Sequence, residues 1–225
     1  ALELTPSADE FAVAVFPLMP EGSYEFQMKL ERLSGNRSIA LSLPLQHENA
    51  LLLLDGAERP NLSRRFSGIS QINRQPAFHP QNPTRSESAF SEPGTKKLEV
   101  MVIRDGVRVA ILAKLQGEEI VRWSGRQADI GAPRKESGPM AEPMSGSGLR
   151  RLVGIIAQNG LIVHEGRMRA LEDGSRLPPA PEKVVTSTPP KIDQVAVDRR
   201  IQGALAATEL EIELEVVSSY NNAME

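Results

Sequence analysis

The chain contains no cysteine among its 225 residues. Disulfide bonds, thiolate zinc sites, iron–sulfur clusters and thiol nucleophiles are therefore excluded. Aromatic residues are also scarce, at 4 % of the sequence, and Trp123 is the one tryptophan. A hydrophobic core would consequently be built mainly from leucine, valine and isoleucine, and we expect Trp123 and Tyr24 to serve as core residues.

Long apolar runs and an excess of basic charge are missing as well. No stretch approaches the roughly 20 apolar residues that a membrane-spanning helix needs. The formal net charge is −3, whereas general nucleic-acid binders are usually basic. The three histidines, His47, His79 and His164, show no metal-ligand spacing. We expect no membrane insertion within this chain, no nucleic-acid partner and no metal site.

The clearest pattern in the chain is an alternation of apolar and polar side chains from Tyr24 to Leu43. The apolar members before the turn at Ser34–Asn36 are Tyr24, Phe26, Met28 and Leu30, and those after it are Ile39, Leu41 and Leu43. A period of two indicates strands with one dry face and one wet face. This segment therefore predicts an antiparallel hairpin.

Similar strand patterns recur along the chain. They include Phe11–Phe16, Ala50–Leu54, a three-strand meander over Leu98–Trp123 around Asp105–Gly106, and a final pair, Leu149–Ile156 and Leu161–Leu171, around Asn159–Gly160. The chain holds about nine to eleven short strands, which is typical of an all-β sandwich.

The character of the sequence changes after residue 172. Leu177–Pro190 is rich in proline, serine and threonine and predicts a linker or an extended strap. In Leu210–Val216 leucine, isoleucine and valine alternate with glutamate, which fits either a strand or a helix. We therefore divide the chain into a sandwich at 1–172 and a C-terminal extension at 173–225. The extension could bind a partner by adding to an open sheet edge, in an oligomer or a larger assembly.

A series of short segments resembles laminin-G-like, concanavalin A-like jelly-roll domains, with the closest likeness to those of planctomycete bacteria. The likeness covers roughly residues 5–172, and its segments are Pro20–Phe26, Arg32–Asn36, Leu53–Gly56, Phe66–Ile69, Asn82–Thr84, Lys97–Arg104, Val107–Trp123 and Ile162–Leu171. The resemblance implies two packed antiparallel sheets and a binding or scaffolding role. It transfers no catalytic residue.

The resemblance also implies an exported or membrane-tethered protein. The first residue is Ala1 rather than methionine, and we expect a processed protein or an excised domain. We therefore predict an extracytoplasmic location, either periplasmic or at the cell surface.

The most distinctive charge feature is the segment 59–85, which holds five arginines and no aspartate or glutamate. Guanidinium forks suit carboxylate, sulfate or phosphate groups. The predicted ligand-binding residues are Arg64, Arg65, Arg74 and Arg85, with Asn73, Asn82 and Asp55 on neighbouring loops. The alternative is a solvated loop whose arginines pair with glutamate-rich regions of the same or a neighbouring chain.

These observations favour a non-catalytic module that recognises carbohydrate or a protein partner. No cofactor is expected, although calcium held by backbone carbonyls and Asp55 would leave little trace in the sequence. One alternative is a structural subunit that assembles through its tail. A second is a sugar-active hydrolase of the 3-keto-disaccharide type, because the jelly-roll domains that the sequence resembles share the fold of those enzymes. Separately, Glu211–Glu215 superficially resembles the carboxylate spacing of laminarinase-type enzymes. That run lacks the central aspartate and the aromatic surroundings of the pattern.

Overall fold

The computed structural model describes residues 1–6, 12–16, 20–34, 37–46, 48–56, 64–87, 90, 94–131, 152–172 and 174–180. The chain divides into a compact unit from Ala1 to Pro179 and a second unit from Ala180 to Glu225. Of the second unit, only Ala180 is described. The division at residues 172 and 173, the partner-binding tail and the glutamate run 211–215 therefore stay predictions.

The described residues form two antiparallel sheets of six strands each. In spatial order, the first sheet contains β1 (Leu2–Leu4), β12 (Leu161–Ala170), β3 (Tyr24–Arg32), β8 (Thr95–Asp105), β9 (Arg108–Leu115) and β10 (Glu118–Arg126). The second contains β2 (Ala12–Phe16), β11 (Val153–Ala157), β4 (Ile39–Pro44), β5 (Asn49–Gly56), β6 (Phe66–Ile69) and β7 (Ser86–Glu87). This arrangement confirms the predicted all-β, two-sheet jelly-roll sandwich.

The inner faces of the two sheets enclose one large hydrophobic core. On β3, alternate side chains from Tyr24 to Leu30 are at most 1 % exposed, whereas those between them are half-buried or exposed. Trp123 and Tyr24 both belong to this core, as their positions in the alternation predict. Removal of apolar surface from water, at roughly 25 cal/mol per Å², is the main force that holds the sheets together.

The predicted hairpin over Tyr24–Leu43 is wrong. Strand β3 pairs with β8 and β12 in the first sheet, and β4 pairs with β5 and β11 in the second. The connection between β3 and β4 carries the chain from one sheet to the other. The predicted strand pair around Asn159–Gly160 is also wrong, because β11 and β12 lie in different sheets and do not pair with each other. A period of two fixes which face of a strand is buried but does not identify the neighbouring strand.

The turn at Asp105–Gly106 behaves as predicted. It joins β8 and β9 as an antiparallel pair with Asp105 opposite Arg108, and Gly106 has a φ of 56°, which glycine adopts without strain. The meander continues through Gly117 into β10. Local turn chemistry thus predicted this part of the first sheet correctly.

The second sheet is buried on both faces at its centre. Every described residue of β4, β5 and β11 is buried. On the side away from the main core, Ala77 joins Ala40, Leu51, Leu53 and Ile156 in a separate hydrophobic cluster. Burial on both faces explains why the sequence of β5 is continuously apolar. It also places the segment around Ala77 against the outer face of the second sheet.

The described residues include only one helical turn, a 3₁₀ turn at Gln127–Asp129. No helix among them reaches the length and apolarity that a bilayer crossing requires.

Candidate functional site

The seven predicted ligand-binding residues do not form one constellation. Asp55 and Arg65 lie where β5 ends and β6 begins. Asn73 and Arg74 follow the other end of β6, whose four residues span about 13 Å. Two separate groups of side chains therefore have to be considered.

The first group surrounds Asp55, whose side chain is fully buried. Its Oδ2 accepts a hydrogen bond of 2.7 Å from Nη2 of Arg32, whose side chain is 7 % exposed. Arg65 and Lys96 are close enough to act electrostatically on the same carboxylate. Burial raises the pKa of Asp55, and the positive charges of Arg32, Arg65 and Lys96 oppose that rise. This group joins β3 of the first sheet to β5 of the second.

Asp55 is consequently poorly placed to contact a ligand at the surface. Its carboxylate is committed to Arg32, and it has a left-handed backbone with a φ of 53°. The surrounding cations also disfavour a calcium ion at this carboxylate. Among the described residues, no three aspartate, glutamate or histidine side chains are grouped so that they could hold a metal ion.

The second group lies on residues 70–85, which we call the arginine loop. Its interior is organised by Asn82, which is 3 % exposed. The Asn82 amide donates hydrogen bonds to the carbonyls of Ile69 at 2.8 Å and Gln75 at 2.9 Å. Its side-chain oxygen accepts from the backbone N–H of Thr84 at 2.9 Å and from the Thr84 hydroxyl at 2.7 Å. The buried side chain of Asn82 therefore holds the backbone of the arginine loop in place.

Thr84 extends this network into β6. Its hydroxyl oxygen accepts a hydrogen bond of 2.8 Å from the backbone N–H of Ile69. A Cβ atom at Gly68 would lie only 3.0 Å from the Thr84 carbonyl oxygen. The glycine thus permits the close approach of β6 and the segment around Thr84.

The backbone at the tip of the loop is strained. Gln71, Asn73 and Arg74 have φ values of 65°, 50° and 66°, in a region that residues other than glycine seldom adopt. Such conformations cost on the order of 1–3 kcal/mol each and persist only where the surroundings impose them. Strain of this kind is commonly found at binding sites.

The surroundings that impose this conformation come from the first sheet. The backbone N–H of Asn73 donates to the Asp129 carbonyl at 2.8 Å, and the N–H of Gly131 donates to the Gln71 carbonyl at 3.0 Å. Between them, Ile72 forms an antiparallel bridge with Ile130. The loop tip is therefore fixed against the segment that follows β10, while the side chains of Asn73 and Arg74 remain exposed.

The remaining arginines differ in their surroundings. Arg85 stacks its guanidinium over the Phe66 ring at 3.7 Å from the centroid. Arg64 pairs with Glu87 at 3.3 Å, but both side chains are more than three-quarters exposed, so the pair contributes little to stability. Arg74 and Arg85 are exposed and have no carboxylate partner among the described residues. They are the two predicted arginines best placed to contact an anion.

The sequence analysis did not identify one further polar contact, that of Arg104 with the second sheet. Arg104 donates to the Pro44 carbonyl at 2.6 Å, and the same carbonyl accepts a hydrogen bond of 3.2 Å from the Tyr24 hydroxyl. Burial raises the pKa of that hydroxyl far above its ordinary value. The alternation on β8, which buries Leu98, Val100 and Val102, also places position 104 on the inner face. This alternation could have identified Arg104 as a charged residue that faces the second sheet.

No family model matches the chain, and no curated protein matches it. Several solved structures show a similar course of the backbone. The galectin LEC-6 of Caenorhabditis elegans is 11 % identical, with a TM-score of 0.39, over 75 % of this chain and 96 % of the galectin. The legume lectin-like domain from Entamoeba histolytica is 9 % identical, with a TM-score of 0.46, over 76 % of this chain and 84 % of that domain.

A third similar structure is CG-16, a homodimeric agglutinin from chicken liver. It is 8 % identical, with a TM-score of 0.35, over 71 % of this chain and all of the agglutinin. No binding residue is carried over to this chain from any of the three structures. The likeness to planctomycete domains stays a prediction.

Proposed function

We propose that this chain is a non-catalytic binding module for an acidic carbohydrate and that the arginine loop is its contact surface. The supporting observation is the strained, hydrogen-bonded loop tip that presents Asn73 and Arg74 to solvent. Strain maintained by a buried hydrogen-bond network is best explained by a need to hold side chains in one arrangement. Arg85 adds a second exposed cation on the same loop.

The charge of the loop favours an anionic ligand. Neither Arg74 nor Arg85 is neutralised by a carboxylate among the described residues. The ring of Phe66 supports the face of the Arg85 guanidinium and leaves its N–H groups at the edge. A planar fork of this kind matches the oxygen pairs of a carboxylate or a sulfate.

Rigidity makes such a surface effective. A loop that must be ordered on binding loses conformational entropy, at roughly 1–2 kcal/mol for each residue whose backbone is fixed. The Asn82 network and the bridge between Ile72 and Ile130 order the backbone before the ligand arrives. We therefore expect specificity for anionic groups to come from the exposed arginines, and the buried Asn82 to act only through the loop conformation.

A binding survey with arginine variants tests the proposal. The full chain is titrated with polygalacturonate and with neutral galactan, and each titration is repeated with Arg74→Ala/Arg85→Ala. We expect preference for the acidic polymer, and affinity about tenfold or more lower for the double variant. Arg167→Ala serves as control, because Arg167 is an exposed arginine of β12 that pairs with Glu165.

Two outcomes count against the proposal. One is equal binding of acidic and neutral polymers, and the other is an equal loss of affinity in the control variant. Retention of a protein partner that depends on Arg74 and Arg85, with no polysaccharide bound, would replace carbohydrate by protein as the ligand class. We place the site of action outside the cytoplasm, which fractionation of the native host with an antibody to the chain would test.

A further inference from the structure

Residues 174–178, which we call the crossing segment, pass over the outer face of the first sheet. The chain leaves β12 with a hydrogen bond of 2.9 Å from the Leu171 N–H to the Ser23 carbonyl. Ser175 then closes a turn, since its hydroxyl donates to the Glu172 carbonyl at 2.6 Å. Farther along, Nη1 of Arg122 donates to the Pro178 carbonyl at 2.8 Å. The segment is therefore anchored at both of its ends.

A cavity of about 510 Å³ lies between these two anchors. Its floor contains Ile103, Ala110 and Ser124, which are small or apolar residues on the outer face of β8, β9 and β10, and its roof is the crossing segment from Gly174 to Leu177. Ligand pockets in proteins typically measure about 300–1,000 Å³. The cavity thus has room for a small organic molecule.

The walls of the cavity are positively charged. They carry the side chains of Arg108 and Arg176 against one carboxylate, that of Asp105. Arg104 also borders the cavity, but its guanidinium lies on the inner face of the sheet and donates to the backbone carbonyls of Pro20, Glu21 and Pro44. In the described part of the chain, Arg108 and Arg176 make no ion pair and no side-chain hydrogen bond.

The lack of partners at these two positions contrasts with their surroundings. Elsewhere on the outer face of the first sheet, most cations pair with a carboxylate. The pairs include Lys29 with Glu165, Lys97 with Glu99, Arg122 with Glu119, Arg126 with Asp129, Arg167 with Glu165, and Arg169 with Glu25. The cavity is therefore a local excess of positive charge on a face that is otherwise largely neutralised.

We propose that this cavity is a second binding site, separate from the arginine loop, for one acidic sugar unit such as a hexuronate. The carboxylate of the sugar would lie between Arg108 and Arg176, whose guanidinium forks can each donate hydrogen bonds to two oxygens. Its hydroxyl groups would meet the side chains of Ser124 and Ser175, and its apolar ring face would lie on Ile103 and Ala110.

Backbone amide shifts of the ¹⁵N-labelled full chain, recorded during titration with digalacturonate, test this site. We expect shifts at Ser124, Ser175 and Leu177, and none with neutral galactobiose. Arg108→Ala and Arg176→Ala should each raise the dissociation constant about tenfold. Arg169→Ala, which removes an arginine paired with Glu25, should leave it unchanged.

A variant that fills the cavity separates binding in the pocket from general attraction of anions. Ser124→Trp places a large side chain at an exposed position of the floor without a change in charge, and it should abolish the shifts. Wild-type affinity in Ser124→Trp, or no shifts at the cavity in the native chain, would overturn the proposal. Arg74→Ala/Arg85→Ala should leave the cavity shifts intact, so failure of the loop and failure of the cavity remain distinguishable.

Discussion

The Arg32 guanidinium lies 2.7 Å from the Asp55 carboxylate between the two sheets of the sandwich. Arg32 is the last residue of β3 in the first sheet, and Asp55 is near the end of β5 in the second. Arg32 also donates a hydrogen bond of 2.7 Å to the Arg37 carbonyl, in the connection between the two sheets. The pair therefore fixes the point at which the chain changes sheets.

Removal of one partner of this pair should strongly destabilise the fold. Arg32→Met leaves the buried Asp55 without its principal counterion, and we expect the free energy of unfolding to fall by about 3–5 kcal/mol. Urea unfolding followed by circular dichroism provides the measurement. The exposed pair of Arg64 and Glu87 is the control, since Arg64→Ala should cost no more than about 1 kcal/mol.

The double variant Arg32→Met/Asp55→Asn tests the cause of that loss. Asparagine tolerates the left-handed backbone at position 55, and it removes the uncompensated charge. We expect it to recover part of the stability lost in Arg32→Met. A double variant no more stable than Arg32→Met would show that the loss comes from packing of the guanidinium, including its position 5.1 Å from the Phe90 ring centroid, rather than from the unpaired charge.

The fold class could be predicted from the sequence, whereas the pairing of the strands could not. Alternation on β3 correctly identified the buried side chains, because each strand encodes which of its faces is dry. The partners of β3 are β12 and β8, which are far away in the chain. Their register depends on contacts that no local pattern specifies.

The candidate site could be predicted only in part for a similar reason. Composition identified the arginine-rich segment, but exposure separates Arg74 and Arg85 from the buried Asp55 and Asn82. Whether each of these side chains is exposed or buried depends on how the loop folds, and composition does not specify that. The cavity above β9 involves the crossing segment and Arg108, which are more than 60 residues apart, and no local pattern joins them.

Asn82 is expected to control the conformation of the arginine loop. Asn82→Ala removes the acceptor of the Thr84 N–H and the donor to three backbone carbonyls, at a cost of about 1–3 kcal/mol for each group that stays unsatisfied. Hydrogen exchange should show faster exchange at Thr84 and Gln75, with β8 and β9 unchanged. Thr95→Ala, which changes an exposed residue, is the matched control. Uniformly faster exchange across the whole core would contradict a local role.

The contact of Arg104 with Pro44 should make a measurable contribution to sheet packing. Arg104→Lys keeps the positive charge but loses the fork that reaches the carbonyls of Pro20 and Pro44. We expect a loss of about 1–3 kcal/mol in the free energy of unfolding. Tyr24→Phe, which removes only the hydroxyl donor to Pro44, should cost about 1 kcal/mol. Equal effects of the two variants would argue against the guanidinium as the main contact.

The crossing segment should loosen in acid. Hydrogen bonds from Arg122 hold the pKa of Glu119 below its ordinary value. A lowered pKa in the folded state adds stability above the ordinary glutamate value of about 4.3, and that stability is lost as the pH falls through the lower folded-state value. Because Arg122 also anchors Pro178, amide exchange at Leu177 should accelerate in this range.

Glu119→Gln is the control for the acid effect. A glutamine does not titrate, so the variant should show the same exchange at Leu177 across the acid range, after correction for intrinsic rates. A pH profile identical to that of the native chain would mean that another group controls the segment.

The most direct test of the central claim is the salt dependence of polygalacturonate binding, measured by calorimetry on the native chain and on Arg74→Ala/Arg85→Ala. Exposed charges lose their attraction as salt screens them, over a Debye length of about 10 Å at 0.1 M. The account predicts that the affinity of the native chain falls steeply with salt and that the double variant binds more weakly with a shallower dependence. Identical affinities and salt dependences for the two proteins would contradict the arginine loop as the binding surface.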